Sequence, residues 1–311
     1  MGDKTVTLLQ VPFTGLGTYK NGFRGNSWLK NRIAIFKSFV IPSLQAQTSK
    51  DFVLHCCWRP EEKNNKYVKE LQTYLEGIKE FKTVHTFHGI LFADDKYPED
   101  VARQRLINNL HYSIGAIYDT IGEADYVIVV LQPSDDCYSK YAVETLQWMF
   151  EHEDLDAIGF KHGYTMNYQT REVANYDCLT NPPFYSIKFT REDFTNPLKH
   201  IAFTSMKRAN GKYPVGTILP SHEYPPDVFL DRYKVIDERG FLVGCHGFNI
   251  STNWNIPYKG EAVSQEVLKE FGIYNVPPIK LRIPLRKRLL FALPYKIQRK
   301  LRYWFTERLK I

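Results

Sequence analysis

The sequence predicts an α/β fold with a mostly parallel central sheet flanked by helices. Four short runs, at 5–13, 51–58, 83–88 and 124–131, are predicted to be strands, and the first of them is both apolar and β-branched. Segments with helical spacing of apolar residues separate these runs, and this alternation is typical of parallel sheets. With 311 residues, 43% of them hydrophobic, the chain is long enough for one large domain.

The first helix is predicted to run from Trp28 to about Gln47, with Asn26 or Ser27 as its N-cap. Pro42 lies inside this helix and should kink it, because proline cannot donate the backbone hydrogen bond that the helix interior requires. Its apolar positions share one side, and they are Trp28, Ile33, Phe36, Val40 and Leu44.

Three further helices are predicted before residue 151. A charged helix lies near 61–79, a longer helix spans 99–120, and the last one spans 140–150. The longer helix has apolar residues on one face, namely Val101, Leu106, Leu110, Ile114 and Ile117.

The second half of the chain is richer in strands, turns and aromatic residues. We expect it to extend the same sheet, so that 1–279 forms a single domain with halves at 1–136 and 137–279. Its predicted strand segments are 157–168, 183–190, 201–206 and 241–252.

Positive charge is concentrated in a tail at 280–311. The tail carries eleven Lys or Arg and one acid, whereas 1–279 carries 30 basic and 33 acidic residues. Basic residues interleaved with apolar ones predict an amphipathic helical tail, broken at Pro294, that binds an anionic membrane surface. The alternatives are a helix packed on the body or one that binds nucleic-acid phosphates. The apolar positions at helical spacing are Leu289, Leu293, Ile297, Leu301 and Trp304.

Other compositional features predict a cytoplasmic protein. Five cysteines without C-x-x-C spacing do not suggest a disulfide framework or a zinc cage. The N-terminal residues lack the pattern of a signal peptide. No segment approaches the ~20 apolar residues of a membrane span. We therefore expect a peripheral protein on the inner face of the membrane, held there by the tail at 280–311.

Two adjacent carboxylates, Asp135 and Asp136, follow the strand at 124–131. Ligands of parallel sheets bind at the carboxyl ends of the strands. Carboxylate oxygens suit Mg²⁺ or Mn²⁺, and such a cation can bridge a diphosphate leaving group. The alternative is that Asp136 caps a helix beginning near Ser139 while Asp135 is solvated.

Three segments resemble GT-A glycosyltransferases. PSLQAQTSKDF at 42–52 is similar to the S-L-x-x-Q-T-x-x-x-F segment near the start of family 2 glycosyltransferases, and the longer run 32–52 resembles the bacterial rhamnosyltransferase family of the GT-A group. Residues 133–147 resemble that family's aspartate-rich strand end, and 241–252 resemble its late His-Gly-x-Asn segment. The resemblance implies a GT-A-like domain with a nucleotide-sugar half and an acceptor half.

The resemblance also implies a metal site. Asp135 and Asp136 stand at the place of the family's DxD-type motif, and His246 would be a third ligand of Mn²⁺ or Mg²⁺. Asn249 would help to shape the same pocket. The chain departs from the family pattern at Pro133, where the family tends to have an aspartate, and so lacks one potential ligand.

Donor-binding residues are assigned by the same resemblance. Arg103 and Arg105 lie where family 2 enzymes often place a basic residue near the donor, and His222 matches a histidine of the family pattern. Arg24, in a glycine-rich turn, is available to phosphate. The alternative for the arginines is a surface position. The run at 51–58 lacks the aspartates of many family 2 enzymes, so other groups must recognise the nucleotide base.

Inverting sugar transfer needs a general base that removes the proton of the acceptor hydroxyl. In SHEYPPDVFLD the candidates are Glu223 first and Asp227 second, and the alternative is that this run is a solvated loop.

The sequence therefore predicts an inverting hexosyltransferase. It would move a sugar, rhamnose by the family's label, from a nucleotide diphosphate donor to a surface glycan or lipid-linked acceptor. One alternative is a metal-dependent nuclease or phosphotransferase that binds nucleic acid through its tail, although a nucleic-acid partner is not expected. Another alternative is a catalytically silent glycan-binding or membrane-scaffold protein of the same fold, which Pro133 favours.

Overall fold

A nine-stranded sheet forms the centre of the computed structural model. The structure describes residues 3–14, 25–88, 99–178, 184–197, 232–246 and 264–277, with the single positions 279, 281, 293 and 297. The strands are β1 (Thr5–Pro12), β2 (Val53–Cys57), β3 (Lys82–Thr86), β4 (Tyr126–Leu131), β5 (Cys137–Tyr138), β6 (Ala157–Asn167), β7 (Val173–Asp177), β8 (Tyr185–Thr190) and β9 (Tyr233–Cys245). The α-helices are α1 (Asn26–Ile35), α2 (Ile41–Gln45), α3 (Lys66–Glu76), α4 (Glu99–Ile121), α5 (Ala142–His152) and α6 (Arg191–Thr195).

The strand order is β3-β2-β1-β4-β8-β6-β9-β5, and β7 pairs with β6. All pairs among β1 to β4 are parallel, as predicted for the first half of the chain. In the second half only β6 and β9 are parallel, and the other pairs are antiparallel. The predicted α/β class with a central sheet flanked by helices is confirmed, with parallel pairing concentrated in the first half of the chain.

The core lies on both faces of the sheet. Neighbouring strand residues point to opposite faces, so that Leu9 and Val130 pack with α1, α3 and α5. On the other face, Leu8 and Val129 pack with α4 and α6. Two helical layers therefore cover the two faces of the parallel strands.

Pro42 does not lie in the interior of one kinked α-helix, as the sequence predicts. A π-helical turn at Phe36–Val40 joins α1 to α2, and Pro42 lies in the first turn of α2, where a missing backbone donor costs little. The predicted single helix is thus a continuous run of three helical segments.

The Gln47–Thr48 turn ties the end of α2 to the segment after Asp136. The Gln47 side-chain Nε2 donates to the Ser139 carbonyl (2.8 Å), and its Oε1 accepts from the Val143 backbone N–H (3.1 Å). The Thr48 backbone N–H donates to the Lys140 carbonyl (2.7 Å). This segment, found by its resemblance to family 2 enzymes, therefore fixes the start of α5 close to the candidate site.

Parts of the predicted chain lie outside the described residues. These are the predicted strand at 201–206 and the tail from 282 onward, apart from Leu293 and Ile297. Leu281, at the start of the tail, is buried against the core that contains Phe271. None of the described helices is both long enough and apolar enough to cross a bilayer.

Candidate active site

The turn that carries the two aspartates directly follows β4. It is held from within, because Gln132 Nε2 donates to the carbonyls of Pro133 (2.9 Å) and Asp136 (2.8 Å). The Tyr138 hydroxyl donates to the carbonyl of Leu131 at the end of β4 (2.7 Å). Each of these bonds is buried, so the turn is a fixed part of the sheet edge.

Asp135 lies at the centre of a buried polar cluster that we call the Asp135 cluster, made of Asp135, Arg32 and His246. The Oδ2 atom of Asp135 accepts from His246 Nε2 (2.9 Å) and forms an ion pair with Arg32 NH1. The side chains of Arg32 and His246 are 6% and 1% exposed, and that of Asp135 is 15% exposed. The cluster joins α1, the β4 turn and the end of β9.

The charges around Asp135 keep it ionised. Burial by itself raises the pKa of this carboxyl, but the Arg32 guanidinium and the His246 imidazole outweigh burial and hold the pKa well below its usual range. Asp135 is therefore a carboxylate at neutral pH, and its charge is compensated inside the protein.

Asp136 has the opposite electrostatics. Its Oδ1 atom accepts the backbone N–H of Gly244 (2.9 Å). Burial first, and then repulsion from Asp135, raise the pKa of Asp136 well above its usual value. A Cβ atom at Gly244 would collide with the Tyr168 ring and the Asp135 carbonyl, so glycine is required for β9 to approach the turn this closely.

The helix-cap alternative for the aspartate pair is wrong. The next helix, α5, begins at Ala142 with Tyr141 as its N-cap residue, and the side chain that accepts a backbone N–H in its first turn is that of Gln47, not Asp136. The structure places His246 beside the pair. His246 is buried, and its ring bonds to the carboxylate of Asp135.

Arg32 was missed as a site residue by the sequence analysis. It lies four residues after Trp28 and four before Phe36, so an arginine falls among the apolar positions of the first helix. Its guanidinium carbon lies 5.3 Å from the centroid of the Trp28 ring. A cation on the buried face of a helix needs a buried anion, and this pattern was the available signal.

Other predicted site residues cannot be placed relative to the Asp135 cluster. Arg24, His222, Glu223, Asp227 and Asn249 lie outside the described residues. Arg103 and Arg105 belong to α4, but their side chains lie outside the described part of the structure. Their assigned roles remain predictions.

The end of β2 holds a buried polar network. His55 is fully buried and bonds to Gln10 Nε2 (3.1 Å) and to the Thr86 hydroxyl (2.9 Å). Burial, together with the neighbouring His85, lowers the pKa of His55 to about 3, so it is neutral. His55 therefore links β1, β2 and β3 and does not offer a group to a ligand.

The donor atoms of the cluster are of the right type for Mn²⁺ or Mg²⁺, but their arrangement does not fit a three-ligand site. The Asp135 Oδ2 atom is already bound by two N–H donors, and Asp136 Oδ1 is bound by a backbone N–H. In the described part of the chain, no group of three or more His, Cys, Asp or Glu side chains is placed to hold a metal ion. The three predicted metal ligands, Asp135, Asp136 and His246, therefore do not form such a group in the described residues.

Comparisons with known proteins found similar structures only. No protein-family model matches the chain, and no curated protein matches it. Similar solved structures include S. aureus TarS 1-349, at 12% identity and TM-score 0.33, covering 78% of this chain and 60% of that one. Its complex with UDP-GlcNAc gives 15% identity and TM-score 0.39, covering 93% and 70%, and its complex with UDP gives 13% and 0.33, covering 93% and 70%. The chain thus spans less than two thirds of the first of these structures, and likenesses of this size do not assign an activity.

The two aspartates should have opposite effects on stability. Asp135→Asn leaves Arg32 buried without its partner and should lower the free energy of unfolding at pH 7 by about 3–5 kcal/mol. Asp136→Asn removes a carboxyl that resists ionisation, so this variant should be at least as stable as the wild type. Urea denaturation measures both changes.

The pH dependence follows from the direction of each pKa shift. Because the pKa of Asp135 is lowered in the folded state, its contribution is present above its unfolded pKa of ~3.9 and is lost as the pH falls below it. The penalty of Asp135→Asn should therefore shrink in acid. Equal losses of stability for the two variants at pH 7 would contradict these electrostatics.

Proposed function

We propose that the chain is a glycosyltransferase that takes its sugar from a nucleotide diphosphate donor. The observation that carries this proposal is the Asp135 cluster at the carboxyl end of β4. Ligands of parallel sheets bind at this edge. A buried, charge-compensated carboxylate there is costly to maintain and is typical of a functional site.

Three separate parts of the chain support the same proposal. The Gln47–Thr48 turn, the aspartate pair and the His246 segment resemble glycosyltransferases in the sequence, and the structure brings all three to one edge of the sheet. An α/β fold does not by itself require these three segments to lie together, since many other residues between 135 and 246 could have occupied this edge of the sheet.

The reaction requires charge stabilisation and one proton transfer. The acceptor hydroxyl attacks the anomeric carbon, the bond to the diphosphate breaks, and the diphosphate leaves with the bonding electrons. The hydroxyl proton passes to a base, for which Glu223 is the first candidate and Asp227 the second. Inversion at the anomeric carbon follows from this single displacement.

Further residues complete the proposed donor site. Arg24, Arg103 and Arg105 contact the phosphates, His222 contacts phosphate or acceptor, and Asn249 shapes the pocket. The sugar is rhamnose by the family resemblance, and the acceptor is a surface glycan or a lipid-linked glycan.

The tail at 280–311 places the enzyme at a membrane. Its eleven basic residues interleave with leucine, tyrosine and tryptophan, which suits the inner, anionic leaflet. Each basic residue near such a surface contributes about 1 kcal/mol, so a few of them are enough for attachment. A peripheral cytoplasmic enzyme with a lipid-linked acceptor is consistent with this tail.

A panel of nucleoside diphosphates and their sugars tests the donor site. A bound donor at ~100 times its Kd stabilises the folded protein by about 2.7 kcal/mol, which raises the Tm by several degrees. We expect at least one member of the panel to do so, with the stabilisation lost in Asp135→Ala. The surface variant Asp154→Ala is the matched control and should keep it. If no nucleotide changes the wild-type Tm, the proposal is wrong.

Truncation after Ile283 tests the tail while keeping the buried Leu281. In a flotation assay with anionic liposomes, the truncated protein should stay at the bottom of the gradient and the full chain should float. A second variant, with Arg286, Lys287 and Arg288 changed to Gln, separates charge from helix loss: it should float less than the full chain at low salt, and this difference should shrink at raised salt. Equal flotation of the full and truncated proteins would show that the tail does not bind membranes.

A further inference from the structure

We propose that Arg32 supplies the positive charge at Asp135 for which the family resemblance implies a divalent cation, so that this chain binds its donor without a metal ion. The inference deepens the proposed function and rests on it, because it assumes that the bound donor carries a diphosphate. It follows from how the oxygen atoms of the turn are engaged.

The first observation is the engagement of the Asp135 carboxylate. Two N–H donors, from Arg32 and His246, converge on its Oδ2 atom. A cation at this oxygen would face the positive ends of both donors. Both side chains are almost fully buried, so neither can swing away into water to make room.

The second observation concerns the backbone oxygens of the turn. Mg²⁺ requires near-octahedral coordination by oxygen, and a site that lacks side-chain ligands can recruit carbonyls. Here the carbonyls of Pro133 and Asp136 accept from Gln132, and the Asp135 carbonyl accepts from the Tyr168 hydroxyl (2.8 Å). Each of these carbonyls therefore already accepts a hydrogen bond, and a cation would have to share the oxygen with an N–H or O–H donor.

The third observation is the loss of the first motif position. Pro133 stands where the resembled family has an aspartate, and a proline contributes no side-chain oxygen. The remaining carboxylate, Asp136, is bonded to the Gly244 N–H. The substitution at Pro133 and the arginine at position 32 are thus complementary, since one removes a negative charge and the other adds a positive one.

Arg32 is also suited to act on a diphosphate through the position it holds. A guanidinium has five N–H donors and stays charged at any physiological pH. It can therefore bond Asp135 and still place a positive charge beside the diphosphate site, and because its side chain is only 6% exposed it acts there through its charge and not by direct contact. Trp28 flanks it on the helix side, with the guanidinium carbon 5.3 Å from the ring centroid. Arg32 acts here as a positioning residue for Asp135.

Binding of Mn²⁺ to the full chain, without donor, tests the inference by electron paramagnetic resonance and by thermal shift. The wild type should show no saturable Mn²⁺ binding and no change in Tm with Mn²⁺ or with EDTA. Arg32→Met frees the carboxylate pair and should gain saturable Mn²⁺ binding that the wild type lacks, because a like charge has left the site. Arg32→Lys keeps the charge and should behave as the wild type.

A double variant shows whether the Mn²⁺ binding gained by Arg32→Met occurs at the Asp135 cluster. Arg32→Met combined with Asp135→Asn should lose the Mn²⁺ binding gained by Arg32→Met alone. If Arg32→Met does not fold, the wild-type titration decides by itself. Saturable Mn²⁺ binding by the wild type that Asp135→Asn abolishes overturns the inference. A nucleotide panel without any binder contradicts the proposed function instead, and leaves the Mn²⁺ result to stand.

Discussion

The buried ion pair between Asp135 and Arg32 is the interaction on which the candidate site depends. Removing two charges from water costs several kcal/mol for each ion, and the cost is offset only when the partners meet with good geometry and further hydrogen bonds. His246 provides such a bond, and the turn is fixed by Gln132. The ion pair and the hydrogen bond at Asp135 therefore fix the positions of α1, the β4 turn and the end of β9 relative to one another.

The sheet architecture brings these three elements together. β4 delivers the aspartates to the carboxyl edge, and β9 pairs with β5 so that Gly244 reaches the turn. The Gln47–Thr48 turn fixes the chain just beyond Asp136. The segments whose sequence resembles glycosyltransferases are thus also the segments that hold the Asp135 cluster in place.

Much of the first half could be predicted because local signals agree there. The runs around Leu54 and Val129 are apolar, the second of them is also rich in β-branched residues, and both form parallel strands. The second half was harder, because β5 has only two residues and β7 pairs by a local reversal that has no strong pattern. The helical spacing could have marked Arg32 as a buried cation, but its partner could not be identified from the sequence, since Asp135 lies more than a hundred residues away. The contact between Asp136 and Gly244 depends likewise on long-range packing.

The most direct test of the central claim is a double-mutant cycle of Arg32→Met and Asp135→Asn on the free energy of unfolding. Each single variant leaves one buried charge without its partner, whereas the double variant leaves neither. The double variant should therefore be more stable than the sum of the single effects predicts, with a coupling of about 1–3 kcal/mol. Effects that add to within ~0.5 kcal/mol would mean that the two side chains do not interact, and the proposed site would lose its basis.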